Sequence, residues 1–530
     1  MYNLDSLSLK YFFEENYCFI NGAIVQKIQL PSRNEVIINL RNLNEDKPQN
    51  KKLYININPK YPHICLITEE TAEKRDIKIP LKPPMFCMQL RKYLNGSKIK
   101  DFKLVKYERI LELYFDYFDE IGSLTKLCLA LEFMGKHSNI ILYNAVNKTI
   151  IGSIHNISSA KSSIREIYGG INYIYPPIKE KSDLLNTSFS TFFEIAKNKD
   201  TKAISEKFYY FSQGILEKIF IQKQNPEDIF SFMQELQIGK NKKFIADFWG
   251  NKESENINLS IDNYFSDIMF DEILNNKKQR LKSILKNDYQ KNLKITKNKP
   301  DIEKTEKMKL YGDIIMSNLY SISMGQKEFT FNDIKVELDS ELSPSDNAQK
   351  YYAKYKKEKT AYKYNLERYN SAKEKLDYYE TIIFNIDFST DFNQISEIEA
   401  EMSEIGLINS KQKEQIKSKI EPINYKGYDI YIGKNNKQND YLISKIAKDD
   451  DLWFHGQNFP SAHIILKVPN NKKEPDKDIL EFCAKLTKEN SKARNGGKAP
   501  IIMTKRKYLK KPPNTYLGYV TYKNEIEIVI

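Results

Sequence analysis

The pattern of apolar and polar residues changes character several times along the chain, and its first part predicts strands. Two β-rich runs in AIVQKIQLPSRNEVIINLR flank a Pro-Ser-Arg-Asn turn, and KLYININPKYPHICL predicts a second strand pair. Apolar residues recur at helical spacing in PPMFCMQLRKYLNG, between Pro83-Pro84 and Asn95-Gly96, so we expect a helix there. Further strands are predicted in YERILELYFDYF, KLCLALEFMG, NIILYN and TIIGSIHNI. We therefore assign residues 1–177 to a mixed α/β domain.

Helical spacing dominates the next part, residues 178–260. The stretches FSTFFEIAKN, AISEKFYYFSQGILEKIF and EDIFSFMQELQIG predict a compact helical module. Gly214 interrupts the second stretch, so we expect two short helices there.

Two long charged helix patterns follow, over about 263–305 and 346–385. The first repeats apolar residues every four positions, at Leu281, Leu285, Tyr289 and Leu293. The second repeats them every seven, at Tyr355, Tyr362, Tyr369, Leu376 and Ile383. Two such helices predict a long antiparallel coiled-coil hairpin over 261–423, whose tip carries short β runs between Gly325 and Pro344. Two ordinary helices of a bundle are the alternative.

The last part, residues 424–530, returns to strands and predicts an α+β domain. Strands are expected in YDIYIGKNNKQNDYLI before it turns, and in SAHIILKV, APIIMT and LGYVTYKNEIEIVI. KDILEFCAKLTKEN predicts a helix. The fold class is thus multidomain α+β.

Composition narrows the functional classes. The 530 residues carry a net charge of +13, which favours a polyanionic partner. The five cysteines are single and odd in number, with no C-x-x-C, so we expect neither a disulfide framework nor a structural zinc, and no cofactor. The sequence has no signal-peptide pattern and no apolar run of about 18 residues, so we expect a cytoplasmic protein without membrane contact.

The segment DLWFHGQNFPSAHIILK, residues 451–467, has the most unusual composition. It holds Trp453, His455 and His463, and Asp451 and Ser461 lie beside them. A catalytic triad or a metal site is conceivable, but the serine lacks a G-x-S-x-G elbow and no H-E-x-x-H or carboxylate cluster is present. One alternative makes the tryptophan and its apolar neighbours core residues, with the histidines as hydrogen-bonded spacers. The other is an RNA-binding or ribosome-binding surface, to which we assign Trp453, His455 and His463.

The neighbouring sequence favours nucleic acid. Between Lys488 and Lys511 there are nine Lys or Arg residues and one acid, Glu489. Basic residues interleaved with Tyr508 and Tyr516 suit a phosphate backbone and stacked bases, although a solvated charged loop has the same composition. The RNA-binding candidates here are Lys505, Arg506, Lys510 and Lys511.

Two stretches of the first domain carry comparable chemistry. In EFMGKHSNIIL, the positions that can contact phosphate or sugar are Lys136, His137, Ser138 and Asn139. In YERILEL, Glu108 and Arg109 are adjacent and would lie on opposite faces of a strand. Arg109 can contact phosphate or a guanine edge, and Glu108 can accept from a base amino group. A surface ion pair is the alternative.

These motifs together resemble the NFACT family over essentially the whole chain. LKPPMFCMQLRKYLNGSKI, YERILEL and LEFMGKHSNIIL resemble its NFACT-N domain, and LDSELSPSDNAQKYYAKYKK resembles the start of its second coiled-coil helix. YIGKNNKQNDYL, DLWFHGQNFPSAHIIL and KRKYLKKPPNTYLGYVTY resemble its NFACT-R domain. The resemblance implies NFACT-N over 1–177, a helix-hairpin-helix-like module over 178–260, the coiled-coil hairpin over 261–423 and NFACT-R over 424–530.

The resemblance also implies a function. Members of the family act in ribosome-associated quality control, as non-catalytic factors that bind large ribosomal subunits obstructed by peptidyl-tRNA. They recruit tRNA, alanyl-tRNA in bacterial members, and promote template-free C-terminal tailing by the ribosome. The implied partners are the large subunit, its rRNA, peptidyl-tRNA, tRNA and a small RNA-binding factor of the RqcP type. A fibronectin-binding surface adhesin, suggested by an older family name, is the alternative.

Two departures from the family pattern bear on the site. The family's Asp-Arg pair, tied to tRNA recruitment, is Glu108-Arg109 in this chain. PSAH stands where many members have Pro-Gly-Ser-His. The acid of the pair is retained, but its side chain is one methylene longer.

Overall fold

The chain divides into two compact units, Met1–Ile273 and Leu274–Ile530. The computed structural model describes residues 3–43, 48–119, 121–160, 162–409, 420–469, 475–513 and 515–530. Within these ranges, no helix has both the length and the apolar character needed to cross a bilayer.

The first unit contains two antiparallel sheets whose strands follow chain order. The first sheet consists of β1 (Ile24–Gln29), β2 (Glu35–Asn42), β3 (Gln49–Asn56) and β4 (His63–Ile67). The second consists of β5 (Ile99–Leu104), β6 (Ile110–Phe118), β7 (Leu124–Glu132), β8 (Asn139–Asn144) and β9 (Ile150–Ser153). The helices of this part are α1 (Ser6–Ile20), α2 (Glu69–Lys74) and α3 (Met85–Leu94). The predicted strand pairs and the helix after Pro83-Pro84 are confirmed.

The helical segment of the first unit packs into the same apolar core as the sheets. Its helices are α4 (Phe189–Ala196), α5 (Thr201–Lys207), α6 (Gln213–Gln222), α7 (Pro226–Gln237) and α8 (Lys242–Phe248). Two helices do occupy AISEKFYYFSQGILEKIF, but the expectation that Gly214 separates them is wrong. The Ser212 hydroxyl accepts the Ile215 N–H and so begins α6, with Gly214 inside the helix.

The long helices expected in the middle of the chain are present, with different bounds. The helices are α9 (Ile257–Thr296), α10 (Glu303–Ser317), α11 (Pro344–Phe388) and α12 (Phe392–Glu404). The prediction of a single helix that continues to residue 305 is wrong. Residues 297–302 are not helical, because Pro300 disfavours continuation of α9, and α10 begins after them. Residues 410–419 of the predicted hairpin lie outside the described residues.

Side-chain contacts show that α9 and α11 run antiparallel within the second unit. Lys278 donates to the Asp387 carbonyl oxygen at 3.1 Å, and the Tyr379 hydroxyl donates to Asp288 at 2.6 Å. Leu281 and Leu285 are buried on α9. Later residues of α9 therefore meet earlier residues of α11.

The segment between these helices has a small core of its own. It contains α10 and an antiparallel hairpin of β10 (Glu328–Phe331) and β11 (Ile334–Glu337). The buried side chains of this tip are Ile314, Ile315, Ile322, Val336, Leu338 and Ala348. The Tyr352 hydroxyl donates to Asp313 at 2.7 Å and ties α10 to the start of α11.

A six-stranded antiparallel sheet forms the end of the second unit. Its strands are β12 (Ile423–Tyr425), β13 (Tyr428–Gly433), β14 (Leu452–Gly456), β15 (His463–Leu466), β16 (Pro500–Lys505) and β17 (Ile526–Val529). Their order in the sheet is β12-β13-β15-β14-β16-β17. The helices are α13 (Asn436–Tyr441), which continues into a π-helical turn at Leu442–Ile446, and α14 (Lys477–Glu489). Of the strand expected in LGYVTYKNEIEIVI, only Ile526–Val529 forms.

Candidate nucleic-acid interfaces

Glu108 and Arg109 lie in the turn that joins β5 to β6. The Val105 N–H donates to the Ile110 carbonyl oxygen at 3.0 Å, and the Glu108 N–H donates to the Val105 carbonyl oxygen at 3.1 Å. The expectation of a strand with these side chains on opposite faces is therefore wrong. The turn conformation arises at Tyr107, whose φ is +69°.

The Arg109 guanidinium is half-buried beside the start of α1. It donates to the Leu4 carbonyl oxygen at 3.4 Å and faces Asp5, the residue that caps α1. Burial lowers the pKa of Arg109, while Asp5 and Glu108 oppose that shift. Burial likewise raises the pKa of Glu108, opposed by Arg109 and Lys181. The two charged groups are thus partly desolvated, which strengthens any hydrogen bond they make to a ligand.

The turn rests on residues of the helical segment, and no motif of the sequence predicts that they lie there. The Tyr107 ring stacks on Tyr209 at 4.0 Å between centroids, and its hydroxyl donates to Asp183 at 2.6 Å. Lys181 lies near enough to Glu108 to oppose the rise in the pKa of that acid. The pKa of Lys181 itself is lowered, mainly by burial. Lys181 is therefore a candidate site residue that sequence analysis missed.

The second polar turn follows β7 and contains a single 3-10 turn, Gly135–His137. Lys136 and His137 are exposed, whereas Ser138 and Asn139 are buried. The Ser138 hydroxyl donates to the Gly135 carbonyl oxygen at 2.8 Å, and the Asn139 amide donates to the His155 carbonyl oxygen at 2.8 Å. Ser138 thus holds the turn and Asn139 ties the start of β8 to the segment after β9, so only Lys136 and His137 of this motif are exposed for a phosphate contact.

The two polar turns lie at the same end of the five-stranded sheet. Ile110 at the start of β6 pairs with Glu132 at the end of β7. One residue further on, the Phe133 N–H donates to the Arg109 carbonyl oxygen at 2.9 Å. Motifs separated by 25 residues in sequence therefore form one continuous edge.

In the second unit, Trp453 lies in the core of the sheet. It is 1% exposed and packs with Leu442, Ile465 and Ile502, while Phe454 and Ile464 belong to the core on the other face. The prediction that Trp453, Phe454 and Ile464 are core residues is confirmed. The alternative, in which the Trp453 ring is exposed for base stacking, is wrong for the described structure. Trp453 and Phe454 lie on opposite faces because successive side chains of a strand such as β14 alternate between the two faces of its sheet.

His455 and His463 lie against Trp453 on the same face of the sheet. The His455 ring stacks on Trp453 at 5.4 Å, and the His455 and His463 centroids are 5.0 Å apart. His455 is half-buried and His463 is buried. The Trp453 Nε1 and His463 Nδ1 atoms have no hydrogen-bond partner within the described structure, so His463 is not the hydrogen-bonded spacer that was expected.

Burial also keeps these histidines neutral. It lowers the pKa of His455 to about 4. Burial lowers the pKa of His463 well below its usual range, and His455 adds to the effect. A proton on the buried His463 ring would lie in an apolar site without a partner.

Asp451 and Ser461 do not complete a triad with the histidines. Asp451 accepts the N–H groups of Lys448 at 2.7 Å and Val468 at 2.9 Å. The Ser461 hydroxyl accepts the Gly456 N–H at 2.8 Å. Both side chains instead fix the turns that flank β14 and β15. Over the described ranges, no group of three or more His, Cys, Asp or Glu residues is placed to hold a metal ion.

The basic stripe between Lys488 and Lys511 is partly neutralised within the protein. Lys505 lies 3.9 Å from Asp450, and Arg506 lies 3.7 Å from Asp449. Lys511 pairs with Asp440. Lys510 is exposed, and the described residues place no carboxylate within 4.0 Å of it. Of the four candidate cations, Lys510 is thus the one most available to a phosphate.

Comparison with known proteins matches both halves of the chain to one family. Residues 5–421 match the model for NFACT N-terminal and middle domains, and residues 421–524 match the NFACT protein RNA binding domain. The Rqc2 homolog RqcH of Bacillus subtilis is 28% identical over 96% of this chain and 95% of its own length. The Rqc2 homolog RqcH of Streptococcus suis is 28% identical over 99% of this chain and 97% of its own.

Among solved structures, the N-terminal part of the fibronectin/fibrinogen-binding protein from Streptococcus suis is 28% identical over 44% of this chain and 84% of that one, with a TM-score of 0.38. The two family models follow one another along the chain and together cover residues 5–524. The chain belongs to the NFACT family.

Proposed function

We propose that this protein is a ribosome-associated quality control factor. It binds large ribosomal subunits obstructed by peptidyl-tRNA, recruits tRNA, and promotes template-free C-terminal tailing of the stalled chain. The observation that carries the proposal is the likeness to RqcH over almost the full length of both chains. The match of residues 421–524 to an RNA-binding domain and the net charge of +13 support an RNA partner.

The tRNA contact is assigned to the edge formed by the two polar turns of the first unit. Glu108 and Arg109 provide a partly desolvated acid and guanidinium, and Lys136 and His137 are exposed beside them. A planar guanidinium can form two hydrogen bonds to a base edge or phosphate. Lys181 adds a further cation to this edge. Alanyl-tRNA is the tRNA we expect.

The ribosome contact is assigned to the second unit. The exposed cations of the Lys488–Lys511 stripe supply phosphate contacts, and His455 lies at the half-buried rim of the Trp453 cluster. The antiparallel helices α9 and α11 and their tip form the second contact. The protein supplies binding and positioning, and peptidyl transfer is left to the ribosome. A small RNA-binding factor of the RqcP type is the expected accessory partner.

The test is to fractionate cell lysate on a sucrose gradient and to sequence the RNA that co-purifies with the tagged protein. Large-subunit rRNA and one or a few tRNA species are expected in the same fractions, together with C-terminal tails on stalled chains by mass spectrometry. Absence from large-subunit fractions after stalling is induced would overturn the proposal. Recovery at the cell surface with fibronectin would instead favour the adhesin alternative.

A further inference from the structure

The first unit exposes a group of large apolar side chains around the start of α3. Leu81, Met85 and Met88 are 103%, 80% and 52% exposed. Met85 and Met88 are spaced i, i+3 on the helix and share one face with Lys92. Exposed apolar groups clustered in this way mark contact sites more often than singly scattered ones do.

The support beneath these side chains is rigid. On its opposite face, α3 buries Phe86, Cys87, Leu90 and Leu94. Arg91 Nε donates to the Ile28 carbonyl oxygen at 2.8 Å, and Gln89 Nε2 donates to the Ile151 carbonyl oxygen at 3.3 Å. Three prolines, at 80, 83 and 84, restrict the segment that leads into the helix. Little backbone conformational entropy is therefore lost when these apolar groups meet a ligand.

The surrounding charge identifies the class of ligand. From Ile77 to Lys100 the sequence holds six cations and no acid. Two of the cations are paired, Lys78 with Asp76 and Lys100 with Asp116. Lys82 and Lys98 are exposed, and no carboxylate of the described residues lies within 4.0 Å of either. Apolar side chains among free cations suit RNA, in which phosphates surround unstacked bases.

A second exposed apolar group in the same unit shows the opposite charge. Phe118, Ile121 and Leu124 are exposed at the β6–β7 turn, beside Asp116 and Asp119. Asp116 is paired with Lys100, but Asp119 has no cation within 4.0 Å among the described residues, so this turn disfavours phosphate and offers a matched control with comparable exposure.

We propose that Leu81, Met85 and Met88 form an apolar RNA contact that packs against unpaired bases while Lys82 and Lys98 bind the flanking phosphates. The proposal rests on the proposed function only in that RNA is the partner of the first unit. Met and Leu are side chains that proteins insert against base steps. Unpaired bases are required, because paired A-form RNA does not present its base faces.

The test measures the affinity of the full chain for fluorescein-labelled unfractionated tRNA and for a fully paired RNA duplex, by anisotropy over a range of KCl concentrations. The Leu81→Ser/Met85→Ser/Met88→Ser variant should lose roughly tenfold or more of its tRNA affinity, since each buried side chain contributes appreciably. The slope of log K against log salt should stay unchanged, because no phosphate contact is removed. Affinity for the duplex should change little.

The Lys82→Gln/Lys98→Gln variant should reduce that slope by about 0.7–0.9 for each lost phosphate contact. The control variant Phe118→Ser/Ile121→Ser/Leu124→Ser should retain tRNA affinity. Circular dichroism establishes that each variant is folded, and single substitutions replace any triple variant that is not.

Wild-type tRNA affinity in the apolar variants would overturn the inference and leave the proposed function standing. Wild-type tRNA affinity combined with lost sedimentation in large-subunit fractions would assign the same side chains to a protein partner. Failure of the wild-type chain to bind tRNA would overturn both the inference and the proposed function.

Discussion

The Phe133 N–H donates to the Arg109 carbonyl oxygen at 2.9 Å, and this bond joins the two polar turns of the first unit. Each turn follows from a different motif, and neither motif indicates the other. The bond places the guanidinium and the Lys136–His137 pair on one edge, where a single RNA loop can meet both.

We expect Arg109→Ala to lose bound tRNA and tail synthesis while the protein still sediments with large subunits. Loss of a good base-edge contact costs about 1–3 kcal/mol, and we propose that the subunit contact lies in the second unit. The measurement is the tRNA content and C-terminal tailing of purified complexes. Glu108→Asp restores the commoner family residue and should be tolerated. Normal tRNA and tails in Arg109→Ala would make the pair structural, and a changed thermal midpoint would indicate loss of the bond to Leu4 instead.

The acids that pair with the basic stripe should limit its RNA affinity. We expect Asp449→Asn/Asp450→Asn to raise RNA affinity and to steepen its salt dependence, because Lys505 and Arg506 are released. Lys510→Gln should flatten the dependence more than Lys505→Gln does, since Lys510 has no competing carboxylate among the described residues. Anisotropy against salt with rRNA fragments measures both. Equal slopes for all variants would identify the stripe as a solvated face.

Removing the tip and upper part of the α9–α11 pair should abolish ribosome association without unfolding the rest. Replacing residues 297–371 with a short Gly-Ser linker retains Leu281, Leu285 and the Tyr379–Asp288 bond. The variant should be absent from large-subunit fractions and still bind free tRNA. Undiminished co-sedimentation would remove these helices from the proposed contact.

The free energy of unfolding should decrease as the pH falls, and His455 and His463 should account for part of that decrease. Burial lowers the folded-state pKa of His455 to about 4, from an ordinary value of 6.5. The unfolded chain therefore binds more protons between these values, so the free energy of unfolding decreases as the pH falls from 6.5 toward 4. Urea unfolding of His455→Gln/His463→Gln should show a shallower decrease than the wild type. Parallel curves would mean that carboxylates alone set the acid limit.

The buried ion pair of Arg75 with Asp262 should contribute more to the free energy of unfolding than the exposed pair of Lys74 with Asp267. Both acids lie on α9. Arg75 Nη1 and Asp262 Oδ1 are 2.7 Å apart, and both side chains are fully buried. Asp262→Ala leaves an uncompensated guanidinium and should lower the free energy of unfolding by about 3–5 kcal/mol. Asp267→Ala removes one of two exposed partners of Lys74, which keeps Glu70, and should cost less than about 1 kcal/mol. Similar losses in the two variants would contradict the role assigned to burial.

Local pattern predicted most of the fold, because alternation and helical spacing report which face of each element is buried. The helix of Met85–Leu94 and the strands β1–β4 and β6–β9 of the first unit follow directly from it, whereas β5 (Ile99–Leu104) is not predicted. The separate helix Glu303–Ser317 was not foreseen, since the charged pattern continues across the break at Pro300. The prediction of a helix boundary at Gly214 is wrong for a similar reason, because the Ser212 cap, and not the glycine, sets the start of α6.

The site was less predictable, because its geometry depends on partners distant in sequence. Trp453 and His463 stand out by composition, yet strand alternation turns them into the core. Ser138 and Asn139 have the chemistry to bind phosphate, but the Ser138 hydroxyl bonds to the backbone of its own turn and the Asn139 amide to the backbone of His155, after β9. No motif around Lys181 predicts that it is a site residue. Its segment meets the turn through the Tyr107–Tyr209 stack and the bond from the Lys181 N–H to the Tyr209 hydroxyl.

The two tryptophans have a practical consequence. Trp249 lies in the first unit and Trp453 in the second, and they are 2% and 1% exposed. The indole of Trp249 donates to the Ser8 hydroxyl at 3.0 Å, whereas that of Trp453 has no partner within the described structure. Each unit therefore contains its own intrinsic fluorophore in a different environment. Trp249→Phe and Trp453→Phe would give single-tryptophan proteins in which the unfolding of either unit of the free chain can be followed separately, without an added dye.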